Sequence, residues 1–308
     1  MQTLIIDGLT LAAHIKQDIA AKIETLRKQD LPPPCLAVIL VGTDPPSALY
    51  VKKKSHACRD VGIKSQTYHL PANSPTLKNE LIDLLQRLSS DNRVHGILVQ
   101  LPLPKSVENS MEILQEICPL KDVDGLTAWN QGRLSLNLSG LFPCTPLGCM
   151  SLIDTIMPDL VGVRATVIGH SALVGSPVAK MLLLAGATVI TVHALSKNKQ
   201  QLCAESDLIV SAAGAPHLLA AGWVKPGATV IDVGTKHVAG KLTGDANYQA
   251  LLGTAHAITP VPGGVGPMTI AMLLKNCLIA YNHLVNSEPL TTPLESYPKL
   301  DMTWTTGT

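Results

Sequence analysis

Two runs of alternating apolar strands and helices constrain the fold of this chain most strongly. Residues 165–193 read ATVIGHSALVGSPVAKMLLLAGATVITVH, which predicts a strand, a glycine-bearing turn, a helix and a second strand. That length matches one βαβ unit of about 30 residues. The segments SDLIVSAAG and GATVIDVG predict two further buried strands. Because parallel strands need helical crossovers, the pattern predicts a doubly wound parallel sheet of the nucleotide-binding type.

The first half of the chain shows the same alternation. After an amphipathic helix near residues 8–28, the segments LAVILVG, SQTYHLP and VHGILVQLPLP predict three strands. A helix over 75–89, opened by Ser74 and Pro75, lies between the last two. A chain of 308 residues exceeds most single cores, so we predict an α/β protein of two domains. Residues 287–308 have no apolar period and three prolines, which predicts a mobile tail.

The composition argues against two classes of partner. The 24 basic and 23 acidic residues nearly cancel, and only 3% of residues are aromatic. Neither an electrostatic attraction to nucleic acid or anionic membranes nor base stacking is therefore expected. Although 46% of residues are hydrophobic, no stretch approaches the length of about 18 uninterrupted apolar residues that a membrane span needs. We expect a small-molecule substrate, no nucleic acid and no membrane.

The N-terminus and the cysteines indicate a cytoplasmic protein. The segment MQTLIIDGLTLAAHIKQDIAAKI lacks the basic start, long apolar run and small-residue cleavage site of a secretory signal. Seven cysteines are scattered through apolar contexts, and no two have the spacing of zinc ligands. We expect reduced, mostly buried thiols and no metal site.

One lysine in SALYVKKKSHACRDVGI, residues 47–63, is expected to be buried. A helix is marked by Asp44 as its N-cap, by Pro45 in its first position and by Gly62 just past its end. With about 100° of rotation per residue, Lys54 falls in the middle of the apolar arc. The two lysines before it fall on the polar arc and are expected to be solvated.

Two interpretations of Lys54 follow from this position. In the first, its stem covers apolar surface and its ammonium group reaches water. In the second, the lysine lines a cleft and becomes a candidate proton carrier at neutral pH because it is desolvated. Tyr50, one turn earlier on the same face, would then hydrogen-bond the lysine or stack on a substrate ring. The helical pattern alone leaves both interpretations open.

The turn from Gly169 to Gly175 follows a buried strand and precedes a helix, where backbone amides can hold a pyrophosphate. It reads G-x-S-x-x-x-G rather than the usual G-x-G-x-x-G. The next strand ends in TVHALSKNK, without the acid that binds the ribose of NAD. Ser196, Lys197 and Lys199 are instead available to a 2′-phosphate, which favours NADP. The alternative is a surface loop whose lysines are merely solvated.

A proline- and glycine-rich segment before the last helix completes a set of motifs. It reads ITPVPGGVGPMTIAMLLKN, residues 258–276. It follows YVKKK, GILVQLPLP, KDVDG, PCTPLG and VIGHSALVGSP along the chain. With these motifs in this order, the chain resembles the FolD family of bifunctional methylenetetrahydrofolate dehydrogenase/methenyltetrahydrofolate cyclohydrolases. The resemblance runs from about residue 4 to about residue 284.

The resemblance implies a domain organisation and a reaction. It implies an N-terminal catalytic domain at 1–142, completed by a C-terminal helix at 268–286, and a Rossmann-type NADP-binding domain at 143–267 across a cleft. It further implies a homodimer. The implied reaction is oxidation of 5,10-methylenetetrahydrofolate to 5,10-methenyltetrahydrofolate with NADP, followed by hydrolysis to 10-formyltetrahydrofolate.

The functional residues of the family transfer onto this chain position by position. By resemblance, the catalytic residues are Tyr50, Lys54, Gln100 and Asp124. Further contacts with the folate are implied for Val99, Leu101, Pro262, Gly263 and Gly264. Contacts with the cofactor are implied for Gly169, His170, Ser171, Gly175, Ser196 and Thr235.

Each catalytic position has a chemical role under this resemblance. We hypothesise that Lys54, hydrogen-bonded to Gln100, transfers a proton during hydrolysis, while Asp124 binds the NH groups of the pterin. Tyr50 is expected to position the lysine and to pack against the substrate. Taken singly, Asp124 is equally well explained as a cap of the turn at Gly125, and Gln100 as a partner of backbone groups at a strand end.

Three departures from the family pattern surround the cofactor. His170 stands where many members carry arginine, VHALS replaces the usual CHS, and VIDVGTK replaces VIDVGIN, which puts Thr235 and Lys236 at the cofactor rim. These departures leave open an NAD-preferring dehydrogenase or a monofunctional cyclohydrolase. A folate- or nucleotide-binding protein without turnover is a further alternative, disfavoured by the intact catalytic set. The segment PVPGGVGPMT disfavours a dehydrogenase of shikimate-like acids.

Overall fold

The computed structural model describes residues 2–107 and 109–290. Its chain divides into two compact units, of which the first comprises Gly8–Gly148 and 266–290. The second comprises 2–7 and Cys149–Val265. The predicted tail at 287–308 lies outside the described residues from position 291 onward.

The first unit is a three-stranded parallel sheet with helices. Its strands are β2 (Cys35–Val41), β3 (Lys64–Leu70) and β4 (Gly96–Val99), in the order β3-β2-β4. Its helices are α1 (Gly8–Lys28), α2 (Pro45–Val61), α3 (Leu77–Ser90), α4 (Ser110–Ile113), α5 (Ala128–Ser135), α6 (Cys144–Asp154, which continues into the second unit) and α10 (Val265–Asn286). The three strands predicted from the sequence are confirmed, and all pair in parallel.

The burial of each element follows its sequence pattern. The central strand β2, CLAVILV, is almost wholly buried, whereas the edge strand β3, KSQTYHL, is half-exposed and carries the polar residues. Helix α3 buries its leucines at helical spacing against this sheet. They are Leu77, Leu81, Leu84, Leu85 and Leu88. The core of the first unit is therefore built from the apolar runs that predicted its strands and helices.

Two helix boundaries differ from prediction. Helix α3 begins at Leu77 rather than at 75. The predicted cap Ser74 lies in the turn before the helix, where its Oγ accepts from Thr76 N at 3.3 Å and donates to Glu80 Oε1 at 2.7 Å. Helix α10 begins at Val265 rather than at 268. It includes Pro267 in its first turn, where the missing N–H of proline has no helical partner to lose.

The second unit contains a six-stranded parallel sheet. Its strands are β1 (Leu4–Ile5), β5 (Arg164–Ile168), β6 (Thr188–Val192), β7 (Leu208–Ser211), β8 (Thr229–Asp232) and β11 (Ala257–Ile258), in the order β1-β11-β8-β7-β5-β6. Three helices accompany it: α7 (Gly175–Leu184), α8 (Lys199–Ala204) and α9 (Tyr248–Leu251). The predicted doubly wound sheet is confirmed in this unit.

Four short strands of this unit were not predicted. Strands β1 and β11 have two residues each, too few for a period to show, and they pair with each other at the sheet edge. A separate antiparallel hairpin joins β9 (Lys236–Val238) to β10 (Lys241–Thr243). Through β1, residues 2–7 group with the second unit, whereas the resemblance placed the whole of 1–142 in the first domain.

Helix α10 is long and apolar enough to cross a membrane by length and composition alone. In the structure, 56% of its most apolar window is buried within the protein. Its side chains include Met272, Leu274 and Cys277, each 1% exposed or less. This helix is therefore part of the core.

Candidate functional site

Helix α2 buries one lysine and exposes the two before it. Asp44 caps the helix, since its Oδ2 accepts a hydrogen bond from Ser47 N at 2.9 Å. Gly62 ends it in the left-handed region at φ +87°. Lys54 is only 8% exposed, whereas Lys52 and Lys53 are exposed. The predicted cap, helix end and burial of Lys54 are confirmed.

A hydrogen bond joins Lys54 to Gln100, which directly follows β4. Lys54 Nζ donates to Gln100 Oε1 at 3.0 Å. The far side of the amide is also held, because Gln100 Nε2 donates to Leu101 O at 2.6 Å. The backbone N–H of Gln100 continues the sheet by donating to Ile39 O at 2.9 Å. Gln100 thus serves the strand end and also orients the lysine.

The two acids of KDVDG have different surroundings. Asp122 is 1% exposed, and its Oδ2 accepts from Thr127 N at 2.7 Å and from Asn130 Nδ2 at 3.0 Å. Its burial raises the pKa of this carboxyl, against the lowering effect of the hydrogen bonds. Asp124 is half-buried. The turn at Gly125 is closed by the Asp122 backbone, whose carbonyl oxygen accepts from Gly125 N at 3.0 Å.

The thiol of Cys144 connects Asp124 with Lys54 electrostatically. Burial raises the pKa of Cys144 well above its ordinary value, and the Asp124 carboxylate raises it further while the Lys54 ammonium opposes both. One buried sulfur therefore lies within range of both charges. We refer to Lys54, Gln100, Asp124 and Cys144 as the Lys54 cluster.

Cys144 and its neighbour Asn276 were missed by the sequence analysis as members of this region. Cys144 Sγ donates to Val123 O at 3.2 Å, and Asn276 Nδ2 donates to the same oxygen at 2.9 Å. The only signals in the sequence were the cysteine of PCTPLG, expected to be a reduced thiol, and the first of three asparagines in α10.

Tyr50 lies on the same helix but is more open than Lys54. Its side chain is 40% exposed, and the ammonium group of Lys53 lies 5.9 Å from the ring centroid. The hydrogen bond of Lys54 goes to Gln100 rather than to Tyr50. The ring of Tyr50 is thus accessible to a ligand.

The turn after β5 lies at the point where the strand order of the second unit reverses. Strand β5 is flanked by β6 on one side and by β7 on the other, and ligands of open α/β sheets bind beside such a point. Gly169 has φ +104°, and an added Cβ would overlap Ala212 O in the loop after β7. A Cβ on Gly175 would overlap Gly169 O. The turn therefore requires glycine at both positions.

The side chains of this turn and of the loop after β6 come together. The rings of His170 and His193 meet edge to face with centroids 5.1 Å apart. Ser196 Oγ accepts a hydrogen bond from His193 N at 3.0 Å, while Ser171 Oγ accepts from Val174 N within the turn. These are donor-bearing side chains at one edge of the sheet.

The lysines of the loop after β6 differ in their contacts. Lys199 Nζ donates to Ala194 O at 2.7 Å, which ties the loop to itself. Lys197 is exposed. Lys197 is therefore the better placed of the two to meet a ligand.

Two buried carboxylates support the loops after β7 and β8, and the sequence analysis did not single them out. Asp245 Oδ2 accepts from Ser211 Oγ at 2.9 Å and from Ala213 N at 2.8 Å. Asp232 Oδ2 accepts from Ala246 N at 2.8 Å, and burial raises its pKa to about 6. The sole signal in the sequence was the position of each acid: Asp232 ends an apolar strand, and Asp245 follows a glycine in a turn.

The remaining predicted residues lie in the second unit or at the end of β4. Val99 is 3% exposed, and the Leu101–Pro102 peptide after it is cis. Thr235 is exposed just before β9. In the loop before α10, Pro262 is exposed and follows a second cis peptide, and Gly263 has φ +112°. Within residues 2–107 and 109–290, no three His, Cys, Asp or Glu side chains are grouped so as to hold a metal ion.

Two protein-family models match most of this chain. The catalytic-domain model of tetrahydrofolate dehydrogenase/cyclohydrolase matches residues 6–124. The NAD(P)-binding-domain model of the same family matches residues 143–285. The folate residues from Tyr50 to Asp124 lie within 6–124, and the cofactor residues lie within 143–285. The loop before α10 was assigned to the folate but is covered by the NAD(P)-binding-domain model.

Individual relatives agree with the family models. The protein Bifunctional protein FolD 1 of Rhizorhabdus wittichii is 48% identical over 281 residues, covering 90% of this chain and 94% of its own. The crystal structure of the FolD bifunctional enzyme from Campylobacter jejuni has a TM-score of 0.88 at 45% identity, covering 93% of this chain and all of its own.

A third relative has been solved with its ligands. The FolD structure of Trypanosoma brucei, complexed with NADP cofactor and inhibitor, has a TM-score of 0.87 at 35% identity and covers 92% of this chain and 99% of its own. Two domain models in order and relatives at this identity over nine-tenths of the chain show the family. The chain belongs to the tetrahydrofolate dehydrogenase/cyclohydrolase family, the bifunctional FolD enzymes of one-carbon folate metabolism.

Proposed function

We propose that this enzyme oxidises 5,10-methylenetetrahydrofolate to 5,10-methenyltetrahydrofolate with NADP and hydrolyses the product to 10-formyltetrahydrofolate, with Lys54 as the proton carrier of the hydrolytic step. The observation that carries the proposal is the 3.0 Å hydrogen bond between buried Lys54 and Gln100, beside Asp124 and Cys144. The hydrogen-bond partner of Lys54 is a neutral amide. This bond holds Nζ in place for proton transfer.

Lys54 acts in this proposal on the water that attacks the methenyl carbon. In its amine form, the lysine takes one proton from the water as the C–O bond forms and returns it to the ring nitrogen as the C–N bond breaks. The second proton of the water leaves to solvent as the new hydroxyl becomes the formyl carbonyl. Gln100 keeps Lys54 Nζ in one position, because both ends of its amide are bonded. The step needs proton transfer and positioning alone.

Asp124 and Tyr50 bind the folate rings in this proposal. The Asp124 carboxylate accepts hydrogen bonds from neighbouring NH groups of the pterin, a pairing in which charge strengthens each bond. The exposed ring of Tyr50 packs against the substrate. Further folate contacts come from Val99, Leu101, Pro262, Gly263 and Gly264.

NADP is the proposed cofactor, and the residues of the second unit fit it. When bound, its nicotinamide accepts the hydride of the one-carbon bridge. The turn that Gly169 and Gly175 shape leads into the N-terminus of α7, where backbone amides suit a pyrophosphate. His170, Ser196 and Lys197 are proposed to meet the 2′-phosphate, and Thr235 and Ser171 to line the rest of the nucleotide.

The NADP complex of the Trypanosoma brucei relative supports this choice, as does the loop TVHALSKNK, which has no acid to bind the ribose of NAD. A preference for NAD is the second candidate, favoured by a single observation: His170 stands where many family members carry arginine. An imidazole binds a phosphate less firmly than the forked guanidinium group does.

The test is an assay of purified enzyme with methylenetetrahydrofolate and either NADP or NAD. Reduced nicotinamide and the methenyl product are followed separately by absorbance. Rapid reduction of NADP with slow reduction of NAD is the expected result. Faster reduction of NAD would select the second candidate, and hydrolysis of supplied methenyl substrate without any reduction would contradict the dehydrogenase half of the proposal.

The oligomeric state and the compartment complete the proposal. A homodimer is supported by membership of the family, and sedimentation of the purified enzyme tests it. A cytoplasmic location is supported by seven free cysteines, six of them buried, since free thiols persist in reducing compartments.

A further inference from the structure

A buried asparagine in α10 ties together two segments that meet beside Asp124. Asn276 is 2% exposed, and its Nδ2 donates to Val123 O and to Phe142 O, both at 2.9 Å. An amide NH₂ group has two hydrogens, so both are used. Val123 directly precedes Asp124 in the chain. One side chain from the last helix therefore joins the KDVDG turn to the start of the PCTPLG segment.

The thiol of Cys144 provides a second donor to the same carbonyl. Cys144 Sγ donates to Val123 O at 3.2 Å and lies 3.7 Å from Asn276 Nδ2. A carbonyl oxygen has two lone pairs, so the amide and the thiol together satisfy Val123 O. Because burial raises the pKa of Cys144 well above its ordinary value, the sulfur keeps its proton and remains a donor at neutral pH.

Packing leaves little room for the backbone around Asp124. A Cβ added to Gly125, which has φ +69°, would lie 2.8 Å from Leu141 O. On the other side, a Cβ added to Gly96 would lie 2.7 Å from the Val123 side chain. The peptide before Asp124 is thus held by two donors and the peptide after it by close packing.

We propose that Asn276 and Cys144, here called the Val123 clamp, are positioning residues that aim the Asp124 carboxylate at the substrate. This inference rests on the proposed function, in which Asp124 binds the pterin. The clamp fixes the peptide from which the Asp124 side chain projects, and a displacement of about 1 Å in a positioned group can lower activity about 100-fold. A purely structural role would lower stability without a selective effect on folate.

The sharpest test compares Cys144→Ala with Cys144→Ser. Both replacements are small, but serine keeps a donor to Val123 O and alanine removes it. We expect Cys144→Ala to raise KM for methylenetetrahydrofolate and for the methenyl substrate about tenfold, the effect of losing one hydrogen bond. KM for NADP should stay unchanged in both variants, and Cys144→Ser should recover most of the folate affinity.

A double-mutant cycle separates positioning from general stability. If the clamp acts through Asp124, Cys144→Ala should change folate KM less than about twofold in an Asp124→Asn background. Additive effects in that cycle would overturn the proposal. Equal folate KM values for Cys144→Ala and wild type would overturn it as well.

The same set of variants tells the two proposals apart. If Asp124→Asn leaves folate KM unchanged, Asp124 does not bind the pterin, and the proposed role of the Val123 clamp is wrong as well. If Asp124→Asn raises folate KM but Cys144→Ala does not, only the clamp is wrong. Asn276→Leu, which removes both amide donors, should raise folate KM more than Cys144→Ala does; should it fail to fold, the Cys144 pair decides alone.

Discussion

Like residues within two positions of each other take different roles in this protein. Lys53 is exposed while Lys54 is buried and bonded to Gln100. The Asp122 carboxylate accepts hydrogen bonds from Thr127 and Asn130, whereas Asp124 is half-buried beside the Cys144 thiol. Helical periodicity separated the two lysines in advance. No local pattern separated the two acids, because the difference lies in partners from later parts of the chain.

His95 gives a pH-dependent contribution to stability. Its side chain is 4% exposed, and its Nδ1 accepts a hydrogen bond from Cys35 N at 3.0 Å. Burial lowers its pKa below the ordinary 6.5, so the fold favours the neutral ring. The stability it contributes is therefore present above about pH 6.5 and is lost as the pH falls below that value, by at most about 1.4 kcal/mol per pH unit.

We expect His95→Asn to lose less unfolding free energy than the wild type when the pH is lowered from about 7 to about 5. The asparagine Oδ1 keeps an acceptor for Cys35 N but has no proton to gain. Urea unfolding at the two pH values measures the difference, with His14→Asn as the matched exposed control. A pH dependence identical to that of the wild type would show that His95 makes no such contribution.

At the scale of elements, the sequence predicted best those helices and strands whose ends are marked by local residues. Asp44 and Gly62 define both ends of α2, and each sits where its chemistry predicts. The start of α3 was placed two residues early, because Ser74 and its bond from Thr76 N belong to a turn that precedes the helix. Strands β1 and β11 have too few residues to show a period.

The Lys54 cluster was predictable to the extent that its members occur in motifs. Lys54 stood out by periodicity, and Gln100 and Asp124 by resemblance. Asn276 carries no local signal, since α10 also contains Asn282 and Asn286, and its bond to Val123 O spans 153 positions in the chain. Contacts of such separation depend on how the chain folds back, so the sequence alone could not assign the residue a partner.

The left-handed end of α2 gives a prediction about stability. At Gly62, φ is +87° and an added Cβ would lie 3.0 Å from Ile23 Cγ2. Gly62→Ala should lower the free energy of unfolding by about 1–2 kcal/mol. Gly132, inside α5, is the matched control, because its added Cβ meets nothing within 4 Å.

For Gly132→Ala we expect the opposite sign, a gain of about 0.5–1 kcal/mol, because alanine favours a helix interior. Urea unfolding of both variants checks the pair. A Gly62→Ala protein as stable as the wild type would mean that the left-handed helix end is not required.

At the scale of the whole molecule, the two units contribute different chemistry to one pair of reactions. Hydride transfer requires the nucleotide, whereas hydrolysis of the methenyl substrate requires only the folate and its proton carrier. A change confined to the nucleotide turn should therefore separate the two activities. Gly175 offers such a change, because a Cβ there would overlap Gly169 O.

We expect Gly175→Ala to lower kcat/KM for NADP reduction at least about tenfold and to leave hydrolysis of supplied methenyl substrate largely intact. Gly162→Ala is the control, since Gly162 has φ +77° but open space around its added Cβ. Steady-state assays of both activities give the comparison. Parallel loss of both activities in Gly175→Ala, without loss in the control, would argue against separate roles of the two units.

The most direct test of Lys54 as the proton carrier compares Lys54→Gln with Lys53→Gln, its exposed neighbour on the same helix. Both activities are measured on each purified variant, with thermal unfolding to confirm the fold. Lys54→Gln should lower cyclohydrolase kcat at least about 100-fold, the usual effect of losing a general acid–base group, while the dehydrogenase keeps a substantial rate and Lys53→Gln keeps both. Full cyclohydrolase activity in Lys54→Gln would contradict the account.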